Sequence, residues 1–237
     1  MGHISQHLDL QGGMKMKTNI ELQRDVMEEL AWEPSIDAAS IGVSAEDGIV
    51  TLSGGVKSFP EKWAAERAAQ RISGVRAVTD QIVVTLPGDS HHGDTDIARA
   101  AANALNWNVS VPRNRVKVLM KDGFITLDGN VDFYYQKAAA EDAVRHLTGV
   151  RGVYNQLTVK PVVMAGDVKS KIEKALERAA EVDAQKIQVE AHDHRVILRG
   201  KVRTWLEREE AERAAWAAPG VSDVHNDIRI ATEINLR

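Results

Sequence analysis

The chain has 237 residues, 43% hydrophobic and 27% charged, close to globular averages, which excludes a largely disordered protein. Only 5% are aromatic, so aliphatic residues and alanine must fill the cores, and the formal net charge of -4 argues against a wholly basic nucleic-acid binder. The absence of cysteine excludes disulfides, Cys-ligated zinc, iron–sulfur clusters and thiol catalysis.

Residues 1–19 read as a flexible opening. They lack the basic stretch followed by a long apolar run that marks a secretory leader, and no segment approaches the ~18 apolar residues of a membrane span. On that reading the chain is expected in the cytoplasm; a leader missing from the start would place it in the periplasm instead.

The first element has apolar residues at helical spacing, Leu22, Val26 and Leu30. A strand with Ile41 and Val43 on one side follows, then the turn dipeptide Asp47-Gly48, whose residues tolerate positive φ. The second strand, IVTLSG, ends at Gly54. An alanine-rich helix, EKWAAERAAQRI, runs to Gly74-Val75, where the glycine is expected as the left-handed residue that stops it. VTDQIVVTL closes the unit as a third strand.

The same elements then recur twice. A helix with Ile97, Ala101 and Leu105, capped by Asp94, leads to a strand with Val116 and Val118, the turn Asp122-Gly123, a strand ending at Gly129, the helix YQKAAAEDAVRHL, Gly149-Val150 and VYNQLTVKP. In the third copy, Asp167 is the expected cap of a helix with Val168, Ile172 and Leu176. A strand with Ile187 and Val189 follows, and Asp193-His194 stands where the other copies have Asp-Gly, so a different or more strained turn is expected. The strand ending at Gly200, the helix EREEAERAAWAA, Gly220-Val221 and VHNDIRIAT complete the copy.

With the copies aligned on Gly54, Gly129 and Gly200, the Gly-Val pair comes twenty residues later each time, and an aromatic comes five later: Phe59, Tyr134, Trp205. The reading is an α+β protein of three tandem αββαβ two-layer units, each a small mixed three-stranded sheet covered on one face by two helices. Its boundaries are 20–86, 95–161 and 167–234, with linkers at 87–94 and 162–166. The anchor glycines and Gly74, Gly149 and Gly220 are structural.

This pattern resembles the BON domain, found in osmotically induced periplasmic proteins and related bacterial envelope proteins. The resemblance rests on the DGxVTLxG hairpin, the three anchor glycines and the Gly-Val before the last strand. It implies a non-enzymatic module that attaches to phospholipid membranes and is linked to envelope or osmotic stress. A cytoplasmic relative that senses potassium adds a potassium-responsive alternative; a docked protein scaffold is a third.

No catalytic motif is present: no G-x-S-x-G, no phosphate-binding Gly-rich loop, no H-E-x-x-H. No cofactor and no metal site are expected. His91, His92, His192 and His194 read as exposed turn and linker residues, and Glu207, Glu209, Glu210 and Glu212 as a solvated helix face. Charge is unevenly spread: residues 20–86 carry -5, residues 95–161 carry +3 and residues 166–234 carry -2. In the middle copy, strand period places Arg113, Arg115 and Lys117 on one face, joined by Lys121.

This stripe reads either as a solvated strand face or as a contact for anionic lipid headgroups at a membrane surface, each basic residue contributing about 1 kcal/mol. Phe133 and Tyr135 are candidate interfacial aromatics beside a core Tyr134. Nucleic acid is not an expected partner, because no aromatic interleaves with the stripe. A monovalent cation or a protein partner would belong to the alternative readings. Trp32 and Trp107, at one shared position, read as core.

Overall fold

A computed structural model describes residues 17–88, 92–160, 168–179, 184–192 and 194–231. Most of the opening segment, parts of both linkers, Asp167 and Asp193 lie outside them. The first unit comprises α1 (Asn19–Trp32), β1 (Ile41–Glu46), β2 (Ile49–Val56), α2 (Phe59–Arg71) and β3 (Ala77–Val84). The second comprises α3 (Asp94–Trp107), β4 (Val116–Lys121), β5 (Phe124–Val131), α4 (Tyr134–Arg145), β6 (Gly152–Asn155) and β7 (Thr158–Val159), the last two being one strand interrupted at Gln156-Leu157. The third comprises α5 (Val168–Arg178), β8 (Ile187–His192), β9 (Arg195–Val202), α6 (Trp205–Trp216) and β10 (Asp223–Ile230).

Each unit is the expected two-layer sandwich. The central strand pairs antiparallel with the strand before it and parallel with the last one, and the helices cover one face. Inward residues of the central strands, Val50 and Leu52, Ile125 and Leu127, Val196 and Leu198, are fully buried. They meet Leu22, Val26 and Leu30, Ile97, Ala101 and Leu105, or Val168, Ile172 and Leu176 from the first helices. Burying each large aliphatic side chain contributes about 1.5–3 kcal/mol. Trp32 and Trp107 are 84% and 87% exposed, against the core reading. They lie two residues past the buried Leu30 and Leu105, and a two-residue step turns a side chain to the far side of a helix.

The anchor glycines have φ of 120°, 133° and 147°, and a Cβ at any of them would overlap the carbonyl oxygen of Ser40, Arg115 or Lys186, the residue just before the neighbouring strand. Gly74, Gly149 and Gly220 have positive φ as expected, but they do not follow directly on a helix end. Each is the third residue of a separate turn closed by Val75 N–H to Ile72 O, Val150 N–H to Leu147 O and Val221 N–H to Ala218 O, the position where a type II turn needs glycine.

The N-cap of α3 is Gly93, and Asp94 does a different job from the expected one. Its carboxylate accepts the N–H groups of Asp122 (2.8 Å) and Gly123 (3.1 Å), tying the helix to the hairpin turn, as Asn19 Oδ1 does for Asp47 N–H. The third hairpin keeps a two-residue connection, His192 opposite Arg195, like its counterparts. His194 Nδ1–H donates to Gly220 O at 2.7 Å, so it is a packed turn residue.

The units meet through their second helices. Arg145 of α4 stands over the Trp63 ring of α2, Tyr134 of α4 stacks on Trp216 of α6 with centroids 4.9 Å apart, and Glu209 of α6 pairs with Arg67 of α2. Phe59 and Trp216 pack against the middle core. The early half of each second helix thus meets the later half of the next, around all three copies.

Candidate functional site

The open faces of the three sheets, opposite the helices, differ in chemistry. In the middle unit the inward residues Ile125 and Leu127 fix the pleat, so Phe124 and Asp128 point outward, as do Lys117, Leu119 and Lys121 from β4 and Tyr154 from β6. Leu119 is 66% exposed and Tyr154 57%. The Phe124 and Tyr154 rings stack with centroids 5.8 Å apart. Gly152 opposite Phe124 makes this possible, because a Cβ there would overlap the Phe124 ring. The face therefore carries a contiguous apolar patch with Lys117 and Lys121 beside it and Asp128 across from Lys117.

Neither other sheet repeats this. The first presents mainly small and polar residues such as Ser44, Thr51, Ser53 and Thr79. The third is charged, but largely self-paired: Arg199 with Glu190 and Asp227, Arg195 with Asp223, and His225 with Asp227 at 2.9 Å.

The expected stripe is only partly assembled. Strand alternation begins at Val116, because Asn114 takes φ 61° and ends the pleat before it. Arg113 is exposed in that turn, off the strand. Arg115 is engaged: its Nη1 and Nη2 donate to Asp132 at 2.7 and 2.9 Å, and Nη2 also donates to Asn130 Oδ1 at 2.9 Å. This bonding raises the Arg115 pKa and holds the Asp132 carboxyl below its usual range. A guanidinium committed to a fork-to-fork pair is not a free surface cation. Lys117 and Lys121 are exposed on one face as expected.

Phe133 and Tyr135 are 46% and 57% exposed and stack with centroids 5.7 Å apart, at the start of α4. Tyr134 between them is turned inward onto Trp216; burial, then Glu212, Glu141 and Glu209, push its phenol pKa up. The patch residues Leu119, Phe124 and Tyr154 were not singled out from the sequence. Leu119 shares its period with Lys117 and Lys121, and Phe124 precedes the inward Ile125, so strand parity alone carried the signal.

The α6 carboxylates are not a solvated face. Glu207 is buried and accepts Arg203 N–H and Nε–H at 2.7 Å each; Glu212 accepts from Asn226 Nδ2 at 2.8 Å; Glu210 pairs with Arg213; Glu209 joins two units. Helix packing on the sheet and on a second unit covers positions that composition alone marks as surface.

One polar motif recurs with a single change. Asn155 Nδ2 donates to Glu141 and to Lys137 O, and Asn226 Nδ2 donates to Glu212 and to Arg208 O. In the first unit Asp80 replaces the asparagine and faces Glu66. Burial first, then the Asp80 charge, raise the Glu66 pKa from 4.5 to about 7, with Lys62 opposing.

The BON domain matches residues 20–85, 93–161 and 165–232, nearly the whole chain in three copies. The chain belongs to the BON-domain family. Among curated proteins, this BON chain is similar to "Osmotically-inducible protein Y" of Escherichia coli (strain K12), 32% identical over 130 residues. The match covers 53% of this chain and 65% of that protein, under two thirds of the relative's length. Two solved structures of CdsD, described as a structural protein of the type III secretion system of Chlamydia trachomatis, align at 14% and 15% identity. The alignments cover 88% and 91% of the BON chain and 91% and 100% of the solved chains, the second being the C-terminal domain of CdsD, both with a TM-score of 0.24, too low to carry an argument. Among the described residues, no helix of this BON protein is long and apolar enough to cross a membrane.

Proposed function

We propose that this triple-BON chain is a non-enzymatic, stress-related module that attaches peripherally to an anionic phospholipid surface through the open face of its middle sheet. The observation that supports the reading is the exposed Leu119–Phe124–Tyr154 patch flanked by Lys117 and Lys121. Apolar side chains and an amphipathic tyrosine suit the boundary between headgroups and acyl chains, while lysine ammonium groups reach the lipid phosphates. Two lysines contribute about 2 kcal/mol together near an anionic surface. The apolar patch contributes a further part that salt does not screen. Arg113, Phe133 and Tyr135 extend the contact at the opposite end of the sheet, whereas Arg115 serves to hold Asp132.

Sedimentation with phosphatidylglycerol and phosphatidylcholine vesicles tests the reading. Attachment is expected to phosphatidylglycerol only, weakened by Lys117→Glu with Lys121→Glu and by Leu119→Ser with Phe124→Ser and Tyr154→Ser. Equal binding by wild type and both variants overturns it.

A further inference from the structure

The first and third units face each other across a gap. There a cleft of about 630 Å³ is lined by Asp47, Ile49 and Arg76 from one side and by Lys201, Trp205 and Arg229, among others, from the other. Its size falls within the range of small-molecule sites.

Lys201 of β9 and Arg229 of β10 are register partners, two cations directly across from each other. Such like-charge pairs are destabilising in a sheet. The equivalent pairs in the other copies are Gly55 with Val83 and Asn130 with Thr158, both uncharged, so the arrangement is specific to the third unit. Arg76 brings a third cation from the first unit, and Arg208 a fourth. Arg208 is held by Ile228 O (3.2 Å) and Asn226 O (2.9 Å) and lies over Trp205 at 5.3 Å. Arg76, Lys201 and Arg229 form no ion pair among the described residues, and Asp47 is the one carboxylate among the lining residues. Ile49, Ile230 and the Trp205 ring give the cleft an apolar wall.

We infer that this cleft binds a small soluble molecule bearing a phosphate group on an apolar body, with Lys201, Arg229 and Arg76 on the phosphate and Ile49, Ile230 and Trp205 on the body. Guanidinium and ammonium groups lining one cleft from two units suit a dianion, and the bound anion relieves the Lys201–Arg229 repulsion while tying the first unit to the third. The site is separate from the lipid-facing patch and does not depend on it.

Titration calorimetry, with NMR of the Trp205 indole, tests this using phenyl phosphate, inorganic phosphate and phenol. One-to-one binding of phenyl phosphate is expected, weaker binding of inorganic phosphate, and none of phenol. Lys201→Gln with Arg229→Gln, and separately Arg76→Gln, each lower affinity by about tenfold or more. Removing the like-charge pair leaves the unliganded melting temperature unchanged or higher, which shows that the variant folds. Lys117→Glu with Lys121→Glu leaves phenyl phosphate binding intact, so failure of the membrane reading does not touch this one. Lipid headgroups carry the same phosphate chemistry. If phosphatidylglycerol vesicles displace phenyl phosphate, or vesicle attachment falls in the Lys201/Arg229 variant, the soluble-ligand assignment is overturned. Absence of saturable binding at millimolar phenyl phosphate, or equal binding by all variants, overturns it as well.

Discussion

The Arg145 guanidinium stands 4.2 Å from the centre of the Trp63 ring, joining the second unit to the first. Burial lowers the Arg145 pKa, the Glu141 charge opposes that shift, and its Nε is buried with no hydrogen-bond partner. Its Nη2 pairs with Asp142 on the same helix, and the ring face lies against the guanidinium from the other unit. Trp63→Ala is expected to cost about 1–2 kcal/mol in urea unfolding and to enlarge the radius of gyration in solution scattering. An unchanged radius together with unchanged stability would mean that the contact does not hold the units together.

Gly129→Ala places a Cβ on the Arg115 carbonyl at φ 133° and is expected to destabilise by about 1–3 kcal/mol. Gly55→Ala is the matched control. Its φ is ordinary and the nearest atom to a new Cβ is Val83 O at 3.9 Å, so the change is neutral or mildly stabilising. Chemical denaturation of the two variants separates a positional need for glycine from a general effect of adding a methyl group.

Glu66 ties stability to pH. Its pKa is raised in the folded chain to about 7 from 4.5, so the fold favours the protonated carboxyl. That stabilisation is full below 4.5 and is lost as pH rises through 7. Asp80→Asn gives the first unit the asparagine of the other two, removes the repelling like charge and supplies a donor to Glu66. The variant is expected to be more stable than wild type above neutral pH and to show a flatter profile between pH 5 and 8 (roughly the span of the Glu66 titration). Parallel profiles in a thermal melt series would refute it.

His194 and Ser222 vary together. Where Gly48 and Gly123 stand in the first two hairpins, a Cβ would strike the side chains of Arg76 and Arg151. The third unit has His194 at that place and Ser222 at the arginine position, with the backbone bond from Ser222 N–H to His194 O kept at 2.9 Å. Ser222→Arg alone should destabilise, and His194→Gly with Ser222→Arg should recover most of the loss. The coupling energy in a double-mutant cycle should lie between about 0.5 and 3 kcal/mol.

Much of this was legible in the chain. The recurrence of Leu22, Val26 and Leu30 at fixed offsets identified buried helix faces, and the anchor glycines marked where backbones approach closely. Local period cannot say which non-core helix residues another unit covers, so Glu209 reads as solvated although it pairs with Arg67 of the first unit. Arg113 leaves the strand because Asn114 takes a positive φ, and Arg115 commits its guanidinium to Asp132; local period shows neither. Trp32 and Trp107 misled for the opposite reason: a shared position suggests packing, yet a helix has an outer side as repeatable as its inner one.

The head-to-tail meeting of α2, α4 and α6 returns to its start, since Trp63 reaches Arg145, Tyr134 reaches Trp216 and Glu209 reaches Arg67. A heterologous contact that closes on itself sets its own copy number. A fourth repeat appended to either terminus would find no vacant seam, and would hang as a separate lobe instead of lengthening the array.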